Sequence, residues 1–185
     1  MVGDFIADLR SIPRVGKRLV VLLGGTIGNF EPEQRRAFLE ALSDTLDPGE
    51  HFLVGTDLIK DEATLVAAYD DAAGVTAAFE LNALTVLNRG LGADFDVDGF
   101  DYLAAWVPQS SRIEMRVKAR RAMTVHVPAL DLVVDFAAGE EMRTEISTKF
   151  TRETIAAELD AAQFDAVHWT TDPAGRFGVT LARRR

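Results

Sequence analysis

Several residue types and patterns are missing from this sequence of 185 residues, and each absence excludes a class of protein. The chain has no cysteine, which excludes disulfides, thiolate nucleophiles and thiolate zinc sites together. Its 20 lysines and arginines are outnumbered by 29 aspartates and glutamates, for a net charge of -9. That balance repels phosphate backbones and anionic lipid headgroups, so we expect neither nucleic acid nor a membrane surface as a partner.

Long apolar runs and the usual catalytic signatures are missing as well. No stretch approaches the ~18 apolar residues of a membrane-spanning helix, and the first residues lack the basic-then-apolar order of a signal peptide, so we expect a cytoplasmic protein. The histidines, His51, His126 and His168, have no metal-ligand spacing, and the sequence contains no lysine-bearing phosphate loop and no serine elbow. No metal site is predicted.

What is present indicates a packed domain that begins with a strand, a helix and a strand. With 48% hydrophobic and 26% charged residues, the chain is able to build a core. The apolar run at 19–23 ends in glycine and predicts a strand buried on both faces of a parallel sheet. A helix beginning at Glu31-Pro32 and a second strand over 51–57 complete a βαβ unit.

The middle of the chain changes from helical to strand periodicity. Asp61 is predicted to cap a helix that carries Leu65 and Tyr69. A second helix is predicted over 76–89, with Phe79, Ala83 and Val86 on one face. From residue 100 to residue 149 alternation dominates, which predicts an antiparallel insertion of about four strands.

A helix capped by Thr151 and a hairpin turning at 172–175 follow the insertion. Together these elements predict an α/β fold: the C-terminal half of a Rossmann-like, doubly wound sheet with an antiparallel β-rich insertion. The predicted divisions are 1–60 for the second half of the sheet core, 61–150 for the insertion, and 151–185 for the final helix and hairpin.

Three groups of residues are candidates for ligand binding. The Gly24–Asn29 loop follows a strand and precedes a helix, where α/β proteins place ligands, although a plain tight connection is an equal alternative. Tyr69 is either a core tyrosine or, beside two aspartates, a ligand contact. Glu145 and Ser147 share one strand face and could accept from and donate to the two nitrogens of a small heterocycle, or they could form a solvated face.

Four segments resemble a known family: LLGGTIGNFEP, TDLIKDEATLVAAYDDAAGVTAAF, the IEM at 113–115, and DFAAGEEMRTEIS. They are very similar to the histidine-specific Nα-methyltransferases of ergothioneine biosynthesis, enzymes that depend on S-adenosylmethionine. The resemblance extends over essentially the whole chain and matches the C-terminal part of that family. It implies methylation of the α-amino group of L-histidine to trimethylhistidine (hercynine), and an antiparallel insertion that binds the substrate.

The resemblance also implies a role for each matching residue. Asp4 and Phe5 would contact the adenine of S-adenosylmethionine, and Gly24 would lie against the cofactor. Five residues would contact the substrate. Asn29 and Tyr69 would hold the amino and carboxylate ends of histidine, and Asn29 would also orient the reacting nitrogen. Glu145 and Ser147 would bind the imidazole, and Met115 would line the pocket.

Parts of the family pattern have no counterpart in these 185 residues, namely the acidic, glycine-rich loop and the acidic residue on the ribose. We therefore expect the chain to lack half of the cofactor site. Two alternatives stay open: a methyltransferase for a different amino acid, and a non-catalytic domain that binds a small ligand, a partner or a second copy of itself through an exposed sheet edge.

Overall fold

The computed structural model describes residues 2–185, which group into two compact units. The first unit contains the residues up to Lys60 together with Ser147–Arg185, and the second contains Asp61–Ile146. Within residues 2–185, no helix combines the length and the apolar character needed to cross a membrane.

The helices and strands are numbered in chain order. The helices are α1 (Pro32–Thr45), α2 (Glu62–Ala67), α3 (Val75–Leu91) and α4 (Arg152–Ala161). The strands are β1 (Leu19–Leu22), β2 (His51–Asp57), β3 (Phe100–Val107), β4 (Arg112–Ala119), β5 (Met123–Val127), β6 (Leu132–Phe136), β7 (Glu141–Thr148), β8 (Phe164–Thr171) and β9 (Phe177–Arg184).

The first unit is a four-stranded sheet in the order β1-β2-β9-β8. Strand β1 pairs with β2 in parallel, and β9 runs antiparallel to both β2 and β8. The predicted βαβ unit and terminal hairpin are therefore confirmed, with the returning strand β9 inserted between β2 and β8. Local signals set the helix starts: Pro32 opens α1 behind a capping box, and Thr151 caps α4 through its side chain.

One hydrophobic core joins both helices to one face of this sheet. Side chains of α1 and α4 meet strand residues of β2, β8 and β9 there. The members from these elements are Phe38, Leu39, Leu42, Phe52, Val54, Ile155, Leu159, Phe164 and Ala182.

Strand β1 is not buried on both faces, so that prediction is wrong. It forms the edge of the sheet, and its outward side chains Leu19 and Val21 are 53% and 48% exposed. The apolar run correctly predicted a strand, but a run of five apolar residues does not indicate how many neighbouring strands pair with it.

The second unit contains the helices α2 and α3 and the antiparallel strands. The strands form a sheet in the order β3-β4-β7 and a two-stranded sheet of β5 and β6, so the insertion has five strands rather than about four. Alternation is confirmed on β4, where Ile113, Met115 and Val117 are all buried. With the parallel pair and terminal hairpin of the first unit, this arrangement confirms the predicted α/β class.

One helix prediction in this unit is wrong in part, and the other is confirmed. Helix α2 ends at Ala67, so Tyr69 lies in the following turn and not on the helix. Helix α3 contains the predicted range 76–89. The face that carries Phe79 and Val86 is exposed, at 68% and 57%, and the helix buries Leu84.

Candidate functional site

The loop after β1 is shaped by glycines. Gly24 and Gly25 have φ values of 83° and 76°, in the left-handed region that favours glycine, and Asn29 ends the short 3₁₀ helix that follows. At Gly28 a Cβ would lie 2.7 Å from the backbone oxygen of Thr148. The loop that carries Asn29 therefore packs against the end of β7, and only glycine allows so close an approach.

Asp4 and Phe5 line a cavity beside β1. Asp4 Oδ1 accepts hydrogen bonds from the backbone N–H groups of Ile6 and Ala7, each at 2.8 Å, and these bonds lower the pKa of Asp4. The cavity has a volume of about 230 Å³ and is lined by Gly3, Asp4, Phe5, Asp8, Leu9, Ile12, Val20, Val21, Leu22 and Phe38.

That lining suits a flat heterocycle with polar edges, because most of the lining residues are apolar and Asp4 and Asp8 bring carboxylates. Gly24 is not among the lining residues, but it follows β1, which supplies some of them. No heavy atom lies within 4 Å of the position that a Cβ at Gly24 would take. The residues present fit part of a nucleoside cofactor.

Tyr69 and Met115 lie together in the second unit. Both belong to a cluster around Leu65 and Ile113, and Met115 is 2% exposed. The Tyr102 hydroxyl donates to the backbone oxygen of Tyr69 at 2.7 Å, which fixes the turn after α2. Tyr102 was not predicted; its only sequence signal is its place on a strand of alternating character.

Four carboxylates act electrostatically on the Tyr102 hydroxyl. Burial, followed by the charges of Glu80, Asp70, Glu145 and Asp71, raises the pKa of Tyr102. This part of the second unit is therefore negative and aromatic, which favours a cationic ligand. The described residues contain no group of three or more histidines and carboxylates able to hold a metal ion.

Glu145 and Ser147 both lie on β7, as predicted. They do not form a solvated face: Glu145 is half-buried, and Ser147 is 5% exposed. A half-buried carboxylate and a buried hydroxyl, two residues apart on one strand, supply an acceptor and a donor to a ligand with both functions.

Two charged residues beside Ser147 were missed by sequence reasoning. The Lys149 ammonium, whose side chain is 0% exposed, lies 2.8 Å from Asp57 Oδ2 and donates to Ser147 Oγ at 2.8 Å. Asp57 ends β2 and also pairs with Lys60. The two lysines outweigh burial, which acts in the opposite sense, and lower the pKa of Asp57.

Two signals would have found this pair. Lys149 continues the period-2 set of Glu145 and Ser147, and Asp57 stands at the carboxyl end of a parallel strand, where α/β proteins place ligands.

The structure thus brings the predicted residues together in groups. The first unit holds Asn29 and Ser147, joined through the contact of Gly28 with Thr148. It also holds the cavity of Asp4 and Phe5. The second unit holds Tyr69 and Met115 in one cluster, with Glu145 acting on the Tyr102 hydroxyl of that cluster.

The structure thus combines a glycine loop after β1, a cavity of about 230 Å³ lined by Asp4 and Phe5, and a strand, β7, that carries Glu145 and Ser147. The family model described as "Histidine-specific methyltransferase, SAM-dependent" matches residues 1–184. The chain belongs to this family.

Named relatives agree with this assignment. The chain is 59% identical over 182 residues to "Histidine N-alpha-methyltransferase" of Mycolicibacterium smegmatis and 53% identical over 182 residues to the protein of the same name in Mycobacterium tuberculosis. Each match covers 98% of this chain and 57% of the relative. The chain therefore spans little more than half the length of these relatives.

A more distant fungal relative, "Ergothioneine biosynthesis protein 1" of Neurospora crassa, is 34% identical over 92 residues, which is 49% of this chain and 10% of the relative. Among solved structures, an S-adenosylmethionine-dependent methyltransferase from Clostridium acetobutylicum aligns with a TM-score of 0.45 at 12% identity, over 95% of this chain and 62% of the other.

Proposed function

We propose that this chain is the histidine-binding part of an enzyme that methylates the α-amino group of L-histidine to trimethylhistidine, a step of ergothioneine biosynthesis. The observation that carries the proposal is the half-burial of Glu145 and the burial of Ser147 on β7, in a chain that belongs to the histidine-specific family. The names of the mycobacterial and fungal relatives support it. A small zwitterionic substrate also suits a chain of net charge -9 better than nucleic acid does, and a cytoplasmic location is part of the proposal.

The cofactor proposed is S-adenosylmethionine. When bound, it supplies an electrophilic methyl group on a positively charged sulfur. Asp4 and Phe5 would hold its adenine, since they line a cavity whose other residues are mainly apolar. Gly24 would let the backbone approach it, because space is open where a side chain would be.

Five residues are proposed to bind histidine. Asn29 would orient the α-amine, and Tyr69 would hold the carboxylate end. Glu145 would accept a hydrogen bond from one imidazole nitrogen, while Ser147 would serve the other; Met115 would pack against the ring. These roles come from the family resemblance, and the burial of Ser147 and Met115 supports them.

The proposed role of the protein in this reaction is to align the amine with the methyl group. A neutral amine with its lone pair directed at the methyl group needs no covalent help, so holding the nucleophile in line supplies most of the rate. The product is a quaternary ammonium ion. The carboxylates near Tyr102, namely Asp70, Asp71, Glu80 and Glu145, would stabilise the positive charge that methylation makes permanent.

The test uses two forms of the chain. Residues 1–185 are assayed alone, and also as a hybrid in which they replace the 182 matched residues of the Mycolicibacterium smegmatis relative. Each is incubated with histidine and S-adenosylmethionine, and products with one, two and three added methyl groups are followed by mass spectrometry. Trimethylhistidine from the hybrid is expected; its absence contradicts the proposal.

Specificity is tested with Glu145→Gln and Ser147→Ala in the hybrid. Each should lower kcat/KM for histidine about 10- to 100-fold, because each removes a hydrogen bond of about 1.5–3 kcal/mol. A methyltransferase for a different amino acid would show unchanged selectivity in both variants.

A second candidate function is binding through the open edge of β1, whose outward side chains Leu19 and Val21 are about half exposed. An edge strand with unpaired backbone groups readily accepts another strand. Concentration-dependent dimers of residues 1–185, abolished by Val21→Lys, would favour it. A monomer at all concentrations would exclude self-association.

A further inference from the structure

Helix α3 carries a row of exposed apolar side chains on one face. Val75, Phe79 and Val86 are each more than half exposed, and Ala83, which is also exposed, lies between the last two. Spacings of four, four and three residues place all four on one side of a helix. Single exposed apolar residues are common, but a contiguous row marks a surface that another molecule covers. We call these four residues the α3 stripe.

The residue that follows Phe79, Glu80, has a buried carboxylate. It is 4% exposed, and within residues 2–185 no hydrogen bond or ion pair reaches its carboxylate. Every other buried charged side chain in that range has a partner of opposite charge. These pairs are Arg18 with Glu50, Arg35 with Glu158, Glu114 with Arg112 and Arg116, and Lys149 with Asp57. An unpaired buried charge is costly, so we expect a cation to complete this site.

Glu80 lies where the exposed and buried faces of α3 meet. Neighbouring residues of an α-helix are about 100° apart around its axis, which puts Glu80 between the stripe residue Phe79 and the core residue Leu84. Its oxygens keep contact with solvent, because the fully enclosed polar side-chain atoms that lack a partner in residues 2–185 are Arg18 Nη1 and Thr180 Oγ1. A long basic side chain that crosses the stripe is therefore able to reach the carboxylate.

The electrostatic surroundings also favour a cation. Burial is the main cause that raises the pKa of Tyr102, and the charge of Glu80 comes next. The other charges that act on this hydroxyl in the same direction are those of Asp70, Glu145 and Asp71. All four are negative, so an incoming positive charge gains from each of them and an incoming negative charge is repelled.

We propose that the α3 stripe is a docking surface for a polypeptide segment that presents apolar side chains and one lysine or arginine, with the basic side chain paired to Glu80. The stripe from Val75 to Val86 is about 16 Å long, which a small ammonium ion does not cover, whereas apolar anchors of a docked helix match such spacings. The inference goes beyond the proposed function and does not depend on which amino acid is methylated. Asp70, Asp71 and Glu145 then remain for the positive charge of the product.

The occupant is identified by photo-crosslinking in the hybrid. The matched residues make up 57% of the Mycolicibacterium smegmatis relative, so the hybrid also contains the polypeptide outside them, and we expect the docking segment there. Phe79→p-benzoylphenylalanine is illuminated, and the crosslinked peptide is sequenced by mass spectrometry. The expected product joins position 79 to a peptide from outside the matched residues that contains lysine or arginine. A crosslink to a second copy of α3, or none in a folded hybrid, overturns the proposal.

Thermal melts of the hybrid and of residues 1–185 test the two parts of the surface. Phe79→Ser should lower the Tm of the hybrid by about 5 °C, because a covered aromatic ring is lost. In residues 1–185, where the ring is exposed, the change should stay below about 2 °C. Val133→Ser is the matched control, since Val133 on β6 is 59% exposed, and it should change neither Tm by more than about 2 °C.

Glu80→Gln should have opposite effects in the two proteins. In the hybrid it leaves a basic side chain without its partner, and the Tm should fall by about 5 °C. In residues 1–185 it removes an unpaired buried charge, and the Tm should not fall. Should residues 1–185 give no cooperative melt, the crosslink and the hybrid melts decide.

Three further results would contradict the proposal. They are an unchanged hybrid Tm in Phe79→Ser, an unchanged hybrid Tm in Glu80→Gln, and a hybrid Tm that rises in tetramethylammonium chloride but not in Glu80→Gln. The last would assign Glu80 to a small ammonium ligand. A hybrid that gives the expected crosslink but does not methylate histidine overturns the proposed function and leaves this inference intact.

Discussion

Replacing Glu50 with glutamine should destabilise the first unit strongly, because it breaks an ion pair whose two side chains are both buried. The side chains of Arg18 and Glu50 are each 6% exposed. Arg18 Nε donates to both Glu50 oxygens at 2.9 and 2.8 Å, and Glu50 also accepts from the backbone N–H groups of Arg18 and Asp47 at 3.0 and 2.8 Å. The pair ties the residue before β1 to the residue before β2.

The magnitude follows from what Glu50→Gln leaves behind. The Arg18 guanidinium would remain buried without its counter-charge, and its Nη1 already has no hydrogen-bond partner. Removing one member of such a pair costs about 3–5 kcal/mol, and we expect about 3 kcal/mol because glutamine keeps some hydrogen bonds. For a chain of this size the Tm should fall by about 6–12 °C.

The pair also predicts a pH dependence. The hydrogen bond from Arg18, opposed by burial and helped by backbone N–H groups, lowers the pKa of Glu50 from 4.5 to about 2. A folded-state pKa below the unfolded value contributes stability that is present above pH 4.5 and is lost as the pH falls toward 2. In Glu50→Gln that part of the acid sensitivity should disappear.

Urea unfolding followed by circular dichroism at pH 7 and at pH 3 measures both effects. Asp165→Asn is the matched control in the same unit, since the Asp165–Arg183 pair is 3.1 Å long with side chains 40% and 52% exposed. An exposed pair contributes about 0–1 kcal/mol. A free energy of unfolding that changes no more in Glu50→Gln than in Asp165→Asn would refute the reasoning, as would an unchanged difference between pH 7 and pH 3.

Two further predictions concern packing and protonation. Gly178→Ala should destabilise by about 1–3 kcal/mol and shift Trp169 fluorescence, because its Cβ would overlap the indole ring. Gly90→Ala, with no heavy atom within 4 Å of its Cβ, should instead stabilise by about 0.5–1 kcal/mol, and the opposite order in thermal melts would contradict this. In Tyr69→Phe, Tyr102 is the one remaining tyrosine. Burial and the charges of the carboxylates should move the midpoint of its absorbance titration above pH 10.0. A midpoint at or below that value would show that the hydroxyl is solvated.

Helices and strands could be predicted from the sequence wherever the signals that start or end them lie within a few residues. Strand β2 has the predicted bounds 51–57. Helix α1 begins at the proline predicted to open it, and α4 has the Thr151 cap. Proline geometry, side-chain caps and strand alternation act over a few residues, so the sequence alone was enough for them.

Burial was harder to predict, because it depends on which elements come to lie beside one another. The period of α3 was recognised, yet Phe79 faces outward and Leu84 inward, since a helix with apolar residues on two sides has two candidate faces. The edge position of β1 was missed because the sequence does not show which strands come to lie beside it. Tyr69 lies beyond the helix because α2 stops at Ala67, where the backbone turns and is fixed by a bond from Tyr102, a residue 33 positions away.

The sequence by itself determined the family, the α/β class and the chemical types of the candidate ligands, because the motifs carrying them are contiguous. Only the tertiary structure decided that Ser147 is buried and that Lys149 and Asp57 stand behind it. Those two residues are 92 positions apart and carry no shared motif. Their pairing arises because the chain beyond β7 runs parallel to the end of β2, and sheet pairing between distant segments is a property of the whole fold.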